Sequence, residues 1–590
     1  MYMLGATVPA LGTAFALGRG GLHVPEHLAR GPVPLDVFGV WLTAEEVLGQ
    51  PFGLDVAIHW LEQLNLEAVV LQCSALLGRL ESPGADWKAI NLELARSLLQ
   101  EPYATRTADL VAAGGSLVAP QSILILLKLA LRHGQRDSGA VNAGLVLASL
   151  LAIQQVTMAP DEPSEDRRVL GPSGSLFREI VSNQMFAVRP TEASLIARLQ
   201  VRWKDLPLGL TTHPEYVDLP AEFARATGTT IDDLTALGLA LWARSVEQPG
   251  VPFQLSYLGS FKWTSERLEA ALALIVADAP TLLTEADRGD KAFGVTWSFD
   301  AFRRYPVIRL SGNRLLVISP SFLLARLFAW LPLYDLKEGL TRLCEGSLWS
   351  RIDGFFRHVC EVHALETVAA TIGETPLLRR MYRHEDLQAA FGTDKKTADA
   401  AIDYGDAWVV VEVSTHQLTR PASVGGRATA LEEDFRIGVM EKVEQLDSTI
   451  SELLADESRL THAACVPRRR ILAVLVSTEG FPLNPMTYVV IQRRISEAGL
   501  LADPRIRQLH ILDQEELDMI EGVSEHQGRN LLQLLEAHEQ GNLYRMGFRE
   551  WLHRESNMTA DRPSRLQGPL DRGWAVVLKA LGESPEDPTH

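Results

Sequence analysis

The chain is predicted to be mostly α-helical in its N-terminal part and to end in an α/β domain. Segments of the first two hundred residues are dense in leucine and alanine and lack β-branched runs, which is typical of helices. Two β-prone, apolar segments flank Gly405-Asp406, a short turn signal that predicts a β-hairpin. A further apolar run, Ile471 to Val476, predicts a buried strand.

Length and charge limit the classes of protein that fit. A chain of 590 residues is too long for one hydrophobic core and predicts about three domains. Its net charge of -18 disfavours a surface that binds nucleic acid over its whole extent. A nucleic-acid partner would therefore need a local basic patch, and Arg379-Arg380 and Arg468 to Arg470 are the candidates.

The cysteines predict a reducing compartment. Cys73, Cys344, Cys360 and Cys465 are scattered, without the close pairs of zinc ribbons or redox motifs. We therefore expect no disulfides and a cytoplasmic location. The apolar start of the chain has no basic segment before it, so no signal peptide is expected.

Residues 1–160 are predicted to form a helical domain. The stretch from Ala140 to Met158 has no charge over about the length of a bilayer span. Because it contains Asn142, Gln154 and Gln155, we expect a buried helix and no membrane partner. The polar, proline-containing stretch Asp161–Gly174 is the predicted domain boundary. The predicted helices are His59–Leu80, Trp87–Leu99, Pro120–His133 and Ala140–Val156.

Residues 175–345 are predicted to form an α-rich middle region with a small hairpin. Thr229-Thr230 is expected to cap a helix that begins at Ile231, and Thr264 is expected to cap one that begins at Ser265. The turn signal Gly312-Asn313 lies between two apolar runs and predicts the hairpin. The predicted elements are helices Ile231–Val246, Ser265–Ala277 and Phe322–Leu336, and strands Val307–Leu310 and Leu315–Ile318.

The C-terminal hairpin carries the candidate chemistry. If Gly405-Asp406 forms its loop, antiparallel pairing places Asp399 directly opposite Glu412, with Cβ atoms about 5 Å apart. Two adjacent carboxylates are costly unless a cation lies between them, and a divalent metal ion is the obvious candidate. The alternative is that Asp399 only caps the strand and Glu412 faces solvent.

A predicted amphipathic helix at residues 431–454 follows the hairpin. Its apolar residues recur every three or four positions. Lys442 and Gln445 are three positions apart, so both side chains could face the hairpin. The alternative is a solvated face, because Glu441 and Glu444 surround Lys442.

Residues 350–525 resemble the PD-(D/E)XK, restriction-endonuclease-like nuclease superfamily. The predicted order of helix, hairpin, helix, strand, helix and strand is the order of that family's core. Asp399 and Glu412 match the family's two acids, whereas Ser414 stands where the family has lysine. Some members carry this lysine on the following helix, and the resemblance makes Lys442 the counterpart.

The helix before the hairpin departs from the family pattern as well. The resemblance leads us to expect a glutamate there, but the matching position is Arg357. Glu361 and Glu366, farther along the same helix, are the possible substitutes.

The resemblance implies a metal-dependent nuclease that acts on nucleic acid. It implies that Asp399, Glu412 and the carbonyl of Val413 hold Mg²⁺ or Mn²⁺. Lys442 would offset charge near the attacking water, and Gln445 would help to position this water. A nuclease-like domain joined to a long helical region suggests bacterial defence against phage or plasmids. A helical extension at residues 526–590, with a disordered tail, would complete the chain.

Two other functions remain open. Ser414 and Arg357 favour a catalytically inactive nuclease-like scaffold, or a nucleic-acid-binding subunit of a larger assembly with a protein partner. A helical adaptor is the third hypothesis, and it predicts that Asp399 and Glu412 do not face each other. An active site predicts that the Lys442 Nζ lies within about 6 Å of both carboxylates.

Overall fold

The fold is seen in a computed structural model, in which most of the chain is described. The predicted boundary Asp161–Gly174, the tail beyond Glu583 and Arg379 of the predicted basic cluster lie outside the described residues. The described residues are 39–157, 191–373 and 380–583, apart from gaps at 137, 329, 425–427, 480–482, 484, 542–546, 557 and 559–560, together with Val181 and three short strands near the N-terminus.

The N-terminal region is helical, as predicted, with a few short strands. The predicted helix His59–Leu80 is wrong in one respect, because two helices cover it, Leu54–Leu61 and Leu66–Glu81. The Asn65 side chain accepts a hydrogen bond from the Ala68 N–H, which caps a new helix. The other helices are Ala44–Leu48, Trp87–Leu98, Tyr103–Ala112, Pro120–His133 and Ala143–Thr157. The strands are β1 (Met3–Leu4), β2 (Phe15–Leu17), β3 (His23–Pro25), β4 (Gly39–Trp41) and β5 (Gly115–Ser116).

The uncharged segment forms a buried helix, Ala143–Thr157, as predicted. Leu150 and Leu151 are fully buried in the helical core. Gln154 is also buried, and its Nε2 donates to the Leu117 carbonyl at 3.4 Å. Among the described residues, none of the helices combines the length and the apolar character needed to cross a bilayer.

The middle region contains more sheet than predicted. The predicted hairpin is present as β8 and β9, but it belongs to a four-stranded mixed sheet in the order β6-β9-β8-β7. The strands are β6 (Phe253–Gln254), β7 (Val276–Asp278), β8 (Val307–Leu310) and β9 (Arg314–Val317). The helices are Glu192–Gln200, Leu206–Gly209, Leu219–Thr227, Ile231–Glu247, Ser265–Ile275, Ala279–Phe293, Asp300–Arg304, Pro320–Phe328 and Leu331–Arg342, with a π-helical turn at Val201–Asp205.

Both predicted caps are confirmed, but one predicted helix is wrong. Thr230 accepts from the Asp233 N–H and Thr264 from the Arg267 N–H, as N-caps do. The single helix predicted at Phe322–Leu336 is two helices that divide near Trp330. Pro332 starts the second helix because its missing N–H and fixed φ suit the first turn.

The C-terminal region is an α/β domain around a five-stranded mixed sheet. Its order is β10-β11-β12-β13-β14, with β12 in the centre. The β10-β11-β12 pairs are antiparallel, and the β12-β13-β14 pairs are parallel. The strands are β10 (Arg380–Arg383), β11 (Ala400–Asp403), β12 (Ala407–Ser414), β13 (Arg470–Ser477) and β14 (His510–Asp513).

Helices cover both faces of this sheet. One face packs on helices Ala428–Phe435 and Glu441–Asp456. The other face packs on helix Trp349–Ala370 and on helices after β14. The predicted helix 431–454 is a longer segment that contains a π-helical turn, Arg436–Met440. The helices are Trp349–Ala370, His384–Phe391, Arg420–Ser423, Ala428–Phe435, Glu441–Asp456, Ser458–Thr461, Pro485–Glu497, Gln514–Gln527, Leu531–Gln540, Phe548–Arg554 and Gln567–Leu581.

Hydrophobic cores cross the boundaries that the sequence predicted. Leu124 and Leu150 of the N-terminal helices share a core with Phe302 and Phe322 of the middle region. The predicted boundary between residues 525 and 526 falls inside helix Gln514–Gln527, which packs on the sheet. Chain segments far apart in sequence therefore complete each other's cores.

Candidate active site

The hairpin register brings the two predicted acids together. Ala400 pairs with Val411 and Asp403 with Trp408, and the same register continued by one residue places Asp399 opposite Glu412. Asp399 lies one residue before β11, and its Oδ2 accepts a hydrogen bond from the Val413 N–H at 2.7 Å. The pair lies near the carboxyl end of β12, the sheet edge where open α/β sheets commonly bind ligands.

Glu412 is a charged residue within a fully buried strand. Its side chain has no exposed surface. The Oε1 atom accepts a hydrogen bond from the Lys442 Nζ at 2.7 Å, so the lysine pairs directly with this carboxylate. Within the part of the chain that the structure describes, the Oε2 atom has no hydrogen-bond partner. A buried oxygen without a partner is costly, and such sites call for a physical explanation.

Burial and mutual repulsion raise the pKa of the acids in this cluster. Burial, with the Asp399 charge as the next largest cause, raises the pKa of Glu412 to about 8. Burial and the Asp399 charge also raise the pKa of Glu361 to about 7. The pKa of Asp399 is raised by burial, although the bond from Val413 opposes this change. The surroundings therefore do not stabilise all three carboxyl groups in their charged form.

Lys442 reaches this cluster from the helix that covers the sheet. Val443 and Leu446 of the same helix are fully buried and fix its packing face. The π-helical turn Arg436–Met440 comes just before, and such turns recur at functional sites. Burial disfavours the charged amine, yet the pKa of Lys442 is raised because the Glu412 carboxylate attracts the proton more strongly. Its positive charge also opposes the rise in the pKa of Asp399, so Lys442 interacts electrostatically with both acids.

Glu361 is the third acid of the cluster, and it comes from helix Trp349–Ala370. Glu366 is exposed, and its charge helps to raise the pKa of Arg565. Arg357 donates to the Thr415 carbonyl at 2.7 Å and to Asp353 at 2.8 Å. The arginine therefore holds the chain just after β12, while Glu361 supplies the carboxyl group one helical turn later.

His384 also belongs to the site, although sequence reasoning did not find it. Its Nδ1 lies 3.3 Å from the Ala398 carbonyl and 3.2 Å from the Thr397 hydroxyl, next to Asp399. A positive charge on His384 opposes the rise in the pKa of both Asp399 and Glu361. A lone histidine at a helix start has no spacing pattern that could have indicated this role.

Two other polar candidates do not join the acids by a hydrogen bond. Among the described residues, Gln445 makes no hydrogen bond to Asp399 or Glu412, and its predicted role stays a prediction. His416 pairs through Nε2 with the buried Asp434 at 3.0 Å. With Ser414 and Ser477, that pair lines a cavity of about 10 Å³ near the end of β12.

The predicted basic patch of Arg468 to Arg470 does not serve this site. Arg470 lies at the opposite end of the parallel pair, beside Ala407, and it pairs with Asp406 and Glu536. Arg469 pairs with Asp403 and Glu457. The sequence could not show this, because it places the arginines beside β13 without fixing their partners.

The donor set fits a divalent cation in its chemistry. Carboxylate and carbonyl oxygens are the ligands that Mg²⁺ and Mn²⁺ prefer. The unpartnered Glu412 Oε2 is an oxygen that such a cation would satisfy. In the described residues, no group of three or more His, Cys, Asp or Glu side chains is arranged to hold a metal ion. The donors in question are therefore Asp399, Glu412 and the carbonyl of Val413.

Comparisons with known proteins add nothing to this picture, since no family model, curated protein or solved structure matches the chain. The chain is mostly helical with a four-stranded and a five-stranded mixed sheet. At the five-stranded sheet, the buried Glu412 meets Asp399, and Glu361 and Lys442 join them from two helices.

Proposed function

We propose that the chain is a metal-dependent phosphodiesterase, a nuclease with a restriction-endonuclease-like C-terminal domain. One observation carries the proposal: the buried Glu412 and its neighbours Asp399 and Glu361 share a single lysine, and among the described residues the Glu412 Oε2 lacks a hydrogen-bond partner. Strongly shifted pKa values produced by burial and specific charges mark functional sites more often than structural ones.

The residues divide the chemistry among them. Asp399, Glu412 and the Val413 carbonyl would hold Mg²⁺ or Mn²⁺, which supplies Lewis acidity toward a phosphoryl oxygen and a bound water. Lys442 stays protonated beside Glu412, so it stabilises negative charge and does not accept a proton. Glu361, with a pKa of about 7, is the group suited to exchange a proton near neutral pH.

The biological setting is part of the same proposal. The nuclease would act on nucleic acid in the cytoplasm, and the helical regions would select the substrate or sense a trigger. The resemblance of the C-terminal region to nucleases, joined to a long helical region, supports a role in defence against phage or plasmids. Function depends on the site rather than the fold, so the experiment below addresses the site first.

An inactive nuclease-like scaffold is the competing function, and Ser414 favours it. The side chain of Ser414 is buried and carries no charge where the nuclease family has lysine. Lys442 answers this departure only in part, because it bonds to Glu412 rather than standing free beside it. The two functions differ in whether the acids bind a cation.

Calorimetric titration with Mn²⁺ tests the proposal. We expect the wild-type protein to bind Mn²⁺ and the Asp399→Asn and Glu412→Gln variants to lose this binding. Glu516→Gln is a matched control, because Glu516 is also buried with a pKa raised to about 7 but lies beside Arg549. Glutamine can also keep the capping bond that Glu516 makes to the Asp513 N–H.

Cleavage assays then identify the substrate. Single- and double-stranded DNA and RNA would be incubated with Mn²⁺, and Glu412→Gln should abolish any cleavage that the wild type shows. Absence of Mn²⁺ binding by the wild type would overturn the nuclease proposal and leave the scaffold.

A further inference from the structure

The segment that carries Asp399 has no regular secondary structure. Residues 396–398 lie between helix His384–Phe391 and β11, outside any helix or strand. A carboxylate on such a segment is well placed only if other groups fix its backbone. Sites need this support, because groups behind the ligands orient the ligands themselves.

Ala398, the residue before Asp399, is fixed at both of its backbone polar groups. Its N–H donates to the Thr449 Oγ1 at 2.6 Å. Its carbonyl lies 3.3 Å from the His384 Nδ1. Thr449 and Ala398 are fully buried. The two peptide planes on either side of Ala398 are therefore each held from a helix, the one that leads to Asp399 by His384. Asp399 in turn accepts from the Val413 N–H.

The chemistry of the contact assigns the hydrogen. A backbone carbonyl can only accept, so the hydrogen bond requires a proton on the Nδ1 of His384. The Thr397 hydroxyl, at 3.2 Å from the same nitrogen, can accept from it too. The ring thus donates toward the segment 397–398, and this role does not depend on whether Nε2 is protonated.

We propose that His384 is a positioning residue of the acid site, because its Nδ1–H holds the Ala398 carbonyl and so fixes the peptide that carries Asp399. The inference rests on the proposed function for its catalytic meaning. Asp399 lies outside any helix or strand, and His384 holds the peptide before it from the start of helix His384–Phe391.

Two variants separate the role of each ring nitrogen. In His384→Asn the amide nitrogen can take the place of Nδ1, and in His384→Gln it takes the place of Nε2. The matched control is His526→Asn, because His526 contacts the Arg562 carbonyl through Nε2 at 3.2 Å, outside the acid site, and asparagine does not replace that nitrogen. Thermal unfolding of each variant identifies any general loss of stability.

The first readout is the Kd for Mn²⁺ in the full-length protein. We expect His384→Gln to weaken Mn²⁺ binding by about 10- to 100-fold, the range for groups that support metal ligands. His384→Asn should bind Mn²⁺ within about threefold of the wild type, and His526→Asn should bind it like the wild type. Equal losses in both His384 variants, or none in His384→Gln, would overturn the proposal.

The second readout needs no metal. Hydrogen exchange followed by mass spectrometry reports the protection of the Val413 amide, which depends on the position of Asp399. His384→Gln should speed exchange in peptides that contain Val413, whereas His384→Asn should not. If the wild type fails to bind Mn²⁺, the proposed function fails, and this exchange still decides the role of His384. Unchanged protection in His384→Gln would then overturn the proposal.

Discussion

Two lysines of this chain, Lys128 with no exposed surface and Lys442 with about a quarter of its side chain exposed, have opposite surroundings. Lys128, at the contact between the N-terminal and middle regions, has no exposed surface, and its Nζ donates to Asp290, the Val295 carbonyl and the Ser298 carbonyl. Arg132 pairs with the second oxygen of Asp290. Lys442, in the acid site, pairs with one oxygen of Glu412 and shares its charge among three acids.

The contrast separates a structural ion pair from a candidate site. All three hydrogens of the Lys128 ammonium find acceptors, and the local charges balance. Around Lys442, among the described residues, the Oε2 atom of Glu412 has no hydrogen-bond partner, and three carboxyl groups share the one lysine. Burial alone therefore does not indicate function, but burial with unbalanced charge does.

The largest effect is expected from Lys128→Ala. This variant removes a buried cation and leaves two carbonyls and one oxygen of Asp290 without their donor. We expect the free energy of unfolding to fall by about 3–5 kcal/mol, as for other broken buried pairs. Urea denaturation followed by tryptophan fluorescence measures the change. A loss below about 1 kcal/mol would show that Arg132 alone balances Asp290.

The acid site should make the stability of the folded protein depend on pH. The folded pKa of Glu412, about 8, lies above its unfolded value, so without metal the folded state loses stability as pH rises from about 4.5 to 8. Glu412→Gln removes this loss. On going from pH 5 to pH 8, the unfolding free energy of the variant should therefore gain about 2–4 kcal/mol relative to that of the wild type. Unfolding at both pH values in EDTA measures the difference.

Glu457→Gln is the control for this pH effect. Glu457 is also buried, but its oxygens accept from the Trp408 indole and the Val466 N–H, and Arg469 lies 3.3 Å away. This balanced glutamate should lose stability on substitution at both pH values. A stabilisation of Glu457→Gln at pH 8 equal to that of Glu412→Gln would remove the distinction between the two environments.

A cation should stabilise only the unbalanced site. At a free Mn²⁺ concentration of about 100 times the Kd, the wild type should gain about 2.7 kcal/mol. Lys128→Ala should gain the same increment, because its defect lies elsewhere, and Asp399→Asn should gain none. Thermal unfolding with and without Mn²⁺ gives the comparison. An equal gain by Asp399→Asn would place the bound ion at another site.

The smallest effect is expected from Arg132→Gln. Arg132 is about one-fifth exposed and bonds to Asp290 and to the exposed Asp287. Because water can replace part of these bonds, the loss in unfolding free energy should be about 1 kcal/mol. The same urea experiment measures it, and a loss as large as that of Lys128→Ala would contradict the assigned order.

The sequence predicted the parts of the site that local rules control. A two-residue turn fixes hairpin register, so counting from Gly405-Asp406 placed Asp399 opposite Glu412. The apolar spacing of the following helix indicated which of its faces meets the sheet, and Lys442 lies beside that face. The second acidic alternative, Glu366, could not be separated from Glu361, because helix spacing alone does not say where the helix sits.

The sequence by itself determined the helical N-terminal region, the hairpin strands β11 and β12, the strand β13 and the facing acids, since periodicity and turn chemistry act over a few residues. Only the tertiary structure decided the rest. It brought Glu361 and His384 close to Asp399 and Glu412, and it placed Arg469 and Arg470 away from these acids. It also left the Glu412 Oε2 without a hydrogen-bond partner among the described residues. These outcomes depend on which distant segments share a core and on how much water they exclude, and no local pattern encodes either quantity.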